Sequence, residues 1–203
     1  MLGRGAMLLL FDIDAAAVAE HDDWHTHEHM PERLAIPGFL RGSRWSSVSG
    51  SPAYLVLYEV AHAEVLRSSA YLERLNAPTP WTRKMMASYR GMRRALCRVV
   101  ETAGAGLGGM ARVARFSSRP SLTESALENL ARQPGVAGAA LLESAHAAAM
   151  TAEQTLRGQD ASLDWALVIT GYAATALEAA LDPGAGGASY RLDYVLTSTA
   201  PPR

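Results

Sequence analysis

Apolar runs and amphipathic stretches alternate along this chain in an order that is used twice. Met7 to Ile13 is apolar and leucine-rich, and predicts a buried first strand. Asp14 can cap a helix running from about Ala15 to Met30, with Ala15, Val18 and Ala19 on its apolar stripe. Pro31 removes a backbone donor and disfavours α geometry at Met30, so that helix is expected to end there. Pro37-Gly38 turns the chain into a strand over Phe39 to Val48, and Gly50-Ser51-Pro52 turns it again into Ala53 to Val60, the clearest strand in the sequence. Glu64 to Asn76 is helical in pattern, with Val65, Leu66, Leu72 and Leu75 on its apolar side. Thr79 then caps and Pro80 opens a further helix through about Tyr89. Arg93 to Glu101 is the fourth strand, which completes the order β-α-β-β-α-β.

Residues 103 to 109 (Ala-Gly-Ala-Gly-Leu-Gly-Gly) form a small, flexible linker. The order then recurs. Met110 to Phe116 is a strand, and Ser121 to Arg132 a helix capped by Ser121 with Glu124 completing a capping box. Gly135 to Leu142 and Trp165 to Tyr172 are strands, Ala174 to Leu181 is a short helix, and Ser189 to Thr199 is the last strand. Between Glu143 and Asp164 lies an additional segment, helical around Met150 to Arg157. Asp182-Pro183-Gly184 reads as a turn and Pro201-Pro202-Arg203 as a frayed tail. The halves echo each other in residues too, since both pass from helix to strand through Pro-Gly, at Pro37-Gly38 and at Pro134-Gly135. The expected organisation is one unit over 1–102, a linker over 103–109 and a second unit over 110–203.

A β-α-β-β-α-β unit is a ferredoxin-like sandwich, with both helices on one face of a four-stranded antiparallel sheet. The other face must be covered, and two such units can cover each other in a barrel-like core. The fold class expected is therefore α+β, as tandem ferredoxin-like units closing a barrel within one chain. Strand alternation divides the side chains. Ala95, Cys97 and Val99 are small and apolar, which suits packing under helices. The non-helical face of the first unit is then expected to carry Tyr54, Tyr58, Arg94 and Arg98, with Arg41 and Trp45. That lining suits a planar anionic or phenolic molecule. The same arginines could instead pair with acids where the units meet.

The bulk numbers limit the partners. A net charge of −1 supplies no field for nucleic acid and no basic patch for a membrane surface. No stretch approaches the roughly 20 apolar residues of a membrane span. Cys97 is the single cysteine, so there is no intrachain disulfide and no cysteine metal cluster. A cytoplasmic protein is expected. The linker glycines make no phosphate-binding fingerprint, and Met85 and Met86 read as core or pocket filler.

The candidate chemistry is concentrated in one place. Four of the six histidines fall between His21 and His29, and on a helix His21, His25 and His29 share one face. Glu28 sits three residues from His25, and Arg33 four from His29. The helix dipole and Glu28 would favour the charged form of His29, and Arg33 would oppose it.

The pattern Trp24-His25-x-x-Glu28-His29-x-Pro31-x-Arg33, followed by Pro37-Gly38-Phe39, resembles the first helix of the dimeric α+β barrel superfamily, and in particular its EthD-like members. The topology likeness covers nearly the whole chain, and the motif about residues 20 to 45. The resemblance implies a fold that hosts lactone isomerases, small monooxygenases, polyketide cyclases and haem-binding enzymes, and it supplies no reaction by itself. The second half departs from the pattern, since its helix from Ser121 has no histidine. One site per chain is therefore expected, beside the first helix.

Four readings follow. The first is acid–base catalysis on a small aromatic or carboxylated metabolite, with His29 as first choice, His25 as second and Arg33 beside them. Trp24, Glu28, Arg41, Trp45, Tyr54, Tyr58, Arg94 and Arg98 would bind the substrate. The second is a metal site on His25, His29 and Glu28, although the His-Glu-x-x-His order of zinc proteases is missing. The third is haem held by a histidine, with His62 another candidate. The fourth is a non-catalytic binding or assembly module. No metal ligand set and no cofactor is assigned. Self-association as a homodimer is expected, because two-fold oligomers are common and relatives of this fold pair.

Overall fold

Every residue of β3 (Tyr54–Val60) is buried, so both faces of the sheet it belongs to are covered. The computed structural model, which describes residues 1–48, 50–145, 150–181 and 187–199, shows how. Eight strands close into one barrel: β1 (Gly5–Ile13), β2 (Phe39–Ser47), β3, β4 (Tyr89–Ala103), β5 (Met110–Phe116), β6 (Val136–Ala145), β7 (Trp165–Gly171) and β8 (Ala188–Thr197). Their order around the barrel is β1-β3-β2-β8-β5-β7-β6-β4, and all pairings are antiparallel. The first four strands thus lie in the order β4-β1-β3-β2 and the last four in the corresponding order β8-β5-β7-β6. The halves are joined by β2 against β8 and β4 against β6, and closure leaves no free sheet edge. The turn at 182–184 and the tail at 201–203 lie outside the described residues.

The faces of β3 and β4 are the reverse of the sequence expectation, whereas Trp45 of β2 turns into the barrel as expected. Ala95, Cys97 and Val99 point into the barrel with Ala6, Leu8, Leu10, Leu55 and Leu57, and meet Ala111, Ala140, Ala166 and Val168 from the second half. Tyr54, Val56, Tyr58 and Leu96 lie under the helices, with Met7, Phe11 and Trp24. An eight-stranded barrel has an interior only wide enough for side chains to fill it, which selects small residues. The rings of β1, β3 and β4 go outside, where helices can stand off the sheet, while Trp45 of β2 and Tyr190 of β8 fill the interior among the small residues. A third cluster packs α5 (Glu124–Ala131) and α7 (Ala174–Ala179) on the second half's outer face.

The first helix also departs from expectation, and usefully so. It begins with a 3₁₀ turn over Ala15–Ala17, runs as α1 (Val18–Trp24), opens into a π turn over His25–His29 and continues as α2 (Met30–Leu34). Pro31 does not end it. In an α ladder the proline ring would press on the carbonyl one turn back, and the proline could not donate. The ladder instead widens, with the Met30 N–H donating to the His25 carbonyl five residues back, which is how π turns absorb such a conflict. The helix can lie close on the sheet because Gly42 is beneath it: a Cβ there would sit 3.0 Å from Met30 and from Tyr58.

The remaining helices differ in detail. The stretch from Glu64 to Asn76 is divided, with a 3₁₀ turn at Ala63–Arg67, an extended Ser68 and α3 (Ser69–Asn76) capped by the Ser68 side chain. α4 (Pro80–Met86) is capped by Thr79 as expected, but Tyr89 already belongs to β4. α5 is capped by Thr123, not Ser121. α6 (Ala152–Arg157) is the helix of the additional segment and begins in a capping box of Thr151 with Gln154.

Candidate functional site

α1 and the π turn carry His21, His25 and His29 inward as a column of rings, while His27 of the π turn faces solvent. His21, His25 and His29 are all buried, and consecutive rings are 5.6 Å apart. Each meets a different environment. His21 is held at both nitrogens, by Asp22 at 3.1 Å and by the Tyr89 hydroxyl at 3.2 Å. His25 Nε2 lies 3.3 Å from the Tyr58 hydroxyl, and its Nδ1 is buried without a partner. Burial keeps Tyr58 protonated by raising its pKa, so its O–H can donate to Nε2 and leave the imidazole proton on Nδ1. His29 Nδ1 is also buried without a partner.

Burial pushes the pKa of both His25 and His29 well below the ordinary imidazole value. For His25 the neighbouring His21 adds to the effect, and for His29 the Arg33 guanidinium does. Both are neutral at pH 7. The expectation that Glu28 and the helix dipole would favour a charged His29 is thereby corrected. The helix runs on to Leu34, so His29 is not at its C-terminus. Glu28 is engaged elsewhere, accepting from Trp24 Nε1 at 3.1 Å and from the hydroxyls of Thr79 at 2.6 Å and Thr82 at 3.3 Å.

His25, His29 and Arg33 line one cavity, together with Tyr58, Tyr71, Tyr89 and Arg94, and with Glu153 and Arg157 of the second half. Apart from Gln154, its remaining wall is apolar, from Met7, Phe11, Val56, Met86 and Met92 among others. Its volume is about 30 Å³, room for about two water molecules. It lies between sheet and helices, not between the two sheets, because the barrel interior is filled. A neighbouring cavity of about 500 Å³ shares Arg94 and Gln154 with it, and is lined further by Leu96, Ser144, Asp160 and Ser162.

Arg33 is fully buried, and its NH2 meets both oxygens of Glu153 at 2.5 and 2.6 Å. Burial alone would weaken its hold on the proton, but the Glu153 carboxylate raises its pKa and keeps it charged. It also lies 5.9 Å from the centre of the Tyr71 ring. Arg94 donates to the Tyr71 hydroxyl at 3.0 Å and stands 4.0 Å from Asp160. Arg157 is paired with Asp160 at 2.7 Å. Three guanidiniums thus face two carboxylates, and with neutral histidines the surroundings are cationic overall.

Of the residues expected at a site, the structure gathers His25, His29, Arg33, Tyr58 and Arg94 around the cavity. The others lie apart from its lining. Trp24 packs behind His29 at 4.4 Å between ring centres. Tyr54 stacks on Phe11 at 5.4 Å. Trp45 fills the barrel interior and donates to Ser43 at 2.9 Å. Arg41 pairs with the buried Glu59 at 2.6 Å, where a smaller cavity adjoins Met1. Arg98 is exposed and paired with Glu143. His62 is exposed beside Glu64. Sequence reasoning did not select Tyr71, Tyr89, Glu153 or Arg157. Tyr89 was legible only as a helix end, and Glu153 only as a position in the helical stretch around Met150 to Arg157, whose tertiary destination no local pattern encodes.

Among the described residues no group of three His, Cys, Asp or Glu side chains converges to hold a metal ion. The space beside His29 and His25 does not fit a haem macrocycle. Among the described residues no helix is long and apolar enough to cross a membrane.

No protein-family model matches this chain, and no curated protein does. Solved structures do resemble it. An anthrone oxidase-like protein superposes with a TM-score of 0.63 at 12% identity, covering 97% of this chain and 93% of its own. Two proteins described as "putative monooxygenase" also match. That from Fusobacterium nucleatum subsp. nucleatum has a TM-score of 0.61 at 7% identity, covering 97% and 96% of the two chains. That from Lactobacillus acidophilus has a TM-score of 0.53 at 9% identity, covering 96% of each. At such identities the likeness is one of fold: the chain is an α+β protein with a closed, antiparallel eight-stranded barrel, an architecture it shares with these structures.

Proposed function

We propose that this protein is an enzyme that removes a proton from a small aromatic or carboxylate-bearing molecule. His29 is the base, His25 its neighbour in the column, and Arg33 and Arg94 pair with the anion that results. The observation that carries this reading is the pair of buried imidazoles, each with an unpartnered Nδ1, on a cavity wall that also presents guanidiniums. The lone pair of His25 is engaged by the Tyr58 hydroxyl, whereas His29, held neutral, has one to accept a proton at pH 7. The burial that keeps it neutral also makes a lone imidazolium costly. An anion formed beside it offsets that cost, so proton transfer creates two charges that stabilise each other in a site poor in water. The resulting resonance-stabilised anion is a common starting point for isomerisation, cyclisation and oxygenation, so the reading names the step rather than the product.

The name of one structural neighbour suggests one probe, and the cationic wall of the cavity suggests a carboxylate on the other. Anthrone has an acidic methylene group, and 4-hydroxyphenylpyruvate has one together with a carboxylate. In D₂O the protein should accelerate loss of the methylene proton signal of at least one of them. His29→Ala should reduce that acceleration by roughly 10²-fold or more, at an unchanged melting temperature. Acceleration that survives His29→Ala would sink the assignment.

One observation favours the non-catalytic reading. The Arg33–Glu153 pair fastens the two halves beside a cavity of about 30 Å³. A module of that kind would lose stability, and no turnover, with His29→Ala.

We also infer that the halves, 1–102 and 110–203 with a linker at 103–109, are tandem ferredoxin-like repeats of EthD-like type in a cytoplasmic homodimer. The matching strand orders support the duplication. So do Gly38 and Gly135, which have φ of 90° and 92° and leave room for Val65 and Ala176 at corresponding places. Light scattering that returns a monomer mass would remove the dimer from this proposal.

A further inference from the structure

The grip of Glu153 on Arg33 is incomplete. Both carboxylate oxygens converge on one guanidinium nitrogen, NH2, while NH1 is buried and has no hydrogen-bond partner. A carboxylate seated squarely on a guanidinium meets two nitrogens with two oxygens, and that parallel arrangement is the stronger one. Arg33 therefore has donor capacity left over on the wall of the cavity.

The segment that supplies Glu153 is lightly anchored. α6 has six residues and belongs to no strand of the barrel. Apart from Glu153 itself, its hydrogen bonds to the first half are those of the Ala152 N–H to Asn76 at 3.1 Å and of Arg157 to the Met86 sulfur at 3.8 Å. It rests on α3 and α4, and the chain beyond it is pinned to β4 where the Ala161 N–H donates to the Met92 carbonyl at 2.9 Å. Gln154, the next residue along, lines both the 30 Å³ cavity and its 500 Å³ neighbour. The partition between a space too small for a metabolite and one of ligand size is thus built from Arg94 of β4 and from the helix that holds the carboxylate.

We propose that Glu153 stands in for the carboxylate of the ligand, and that an aromatic monocarboxylate exchanges with it. The incoming carboxylate takes both nitrogens of Arg33. Glu153 leaves with α6 for water, and the two cavities merge into one chamber beside His29. Arg33 is never left unpaired, which is what makes exchange accessible where simple breakage of a buried ion pair is costly. A neutral analogue of the same shape cannot replace Glu153 and leaves the chamber divided. The inference rests on reading the His25–His29 cavity as the ligand site. It adds that a carboxylate is the recognised group and that the second half is its gate.

Benzoate and benzamide test this, since they differ in the charge at issue and neither has a methylene proton to lose. In the wild-type protein, benzoate should speed amide hydrogen exchange over residues 152–157, and benzamide should not. Glu153→Gln removes the competing charge, and should bind benzoate about tenfold tighter by calorimetry, the scale of one charge-assisted hydrogen bond. Benzoate that slows or leaves unchanged the exchange of α6, or a variant that binds it no tighter, would overturn the proposal. Should the variant not fold, the wild-type exchange measurement decides alone. Failure here leaves the deuterium test of His29 standing, and failure of that test leaves the benzoate result standing.

Discussion

The indole of Trp24 lies against the imidazole of His29, with ring centres 4.4 Å apart and planes tilted by 37°. Trp24 is completely buried, and its N–H is spent on Glu28. The indole thus presents an apolar wall, with no acceptor, to one side of an imidazole whose Nδ1 also lacks a partner. The indole adds to the burial that, with the Arg33 guanidinium, disfavours a proton on His29.

The consequence for stability has a definite sign. His25 and His29 hold protons less tightly in the folded chain than in the unfolded one. Below the unfolded value of about 6.5 the unfolded state therefore binds more protons, and stability falls as pH falls. Above about 6.5 these groups contribute no pH dependence. The difference in melting temperature between the wild-type protein and the double variant His25→Gln/His29→Gln, which lacks both imidazoles, should be level from pH 8 to 7 and change between pH 6.5 and 5. Over that lower range the drop should be smaller in the variant, with His21 supplying part of what remains, since burial lowers its pKa too. An unchanged slope in that variant would contradict burial as the cause.

Glu28 should matter for folding more than for chemistry. Its carboxylate gathers donors from Trp24, Thr79 and Thr82 and so clamps the π turn to α4. Thr79 is at the same time the cap of α4, accepting from the Thr82 N–H at 2.9 Å. Glu28→Ala leaves the buried indole N–H without its partner and should cost about 1–3 kcal/mol in chemical denaturation. Any lost proton-exchange rate should then track the loss of folded protein. A rate loss at full folding would place Glu28 in the chemistry after all.

Much of the fold was legible because its signals are local. The four strands of the first half and the Thr79–Pro80 start of α4 follow from alternation and capping alone. Which face of β3 and β4 turns inward was not legible, because Tyr54-x-Val56-x-Tyr58 and Ala95-x-Cys97-x-Val99 are each consistent with either layer. The width of a closed barrel decides it, and that is a property of eight strands together. At the site, the column of His25 and His29 with Arg33 came from helical spacing, and survived the π turn that Pro31 imposes. Glu153 sits 120 residues from Arg33 in the chain, and no pattern in either segment names the other as its partner.

Cys97 should be inert in the native protein. It is fully buried in the barrel interior, and burial pushes its thiol up to about 12, so the reactive thiolate is scarce at neutral pH. A thiol-specific chromophoric reagent should label less than a tenth of the protein in the time that labels all of it in denaturant. Rapid native labelling would mean that the barrel opens between β1 and β4, the strands where Cys97 opposes Ala6.

The two partners of the buried ion pair should respond unequally to removal. Arg33 is part of the first helix and packs under it beside Tyr71, so it cannot leave when Glu153 is lost. Glu153→Ala therefore strands a buried guanidinium and should cost about 3–5 kcal/mol. Arg33→Leu frees the carboxylate instead, and α6 can carry it into water, so the cost should fall below about 3 kcal/mol. The double variant Arg33→Leu/Glu153→Leu should be more stable than Glu153→Ala, since neither charge is left buried alone. Denaturant midpoints for the three proteins check the order. Equal costs for the two single variants would show that α6 is fixed in place as firmly as the first helix, and would count against any exchange at Arg33.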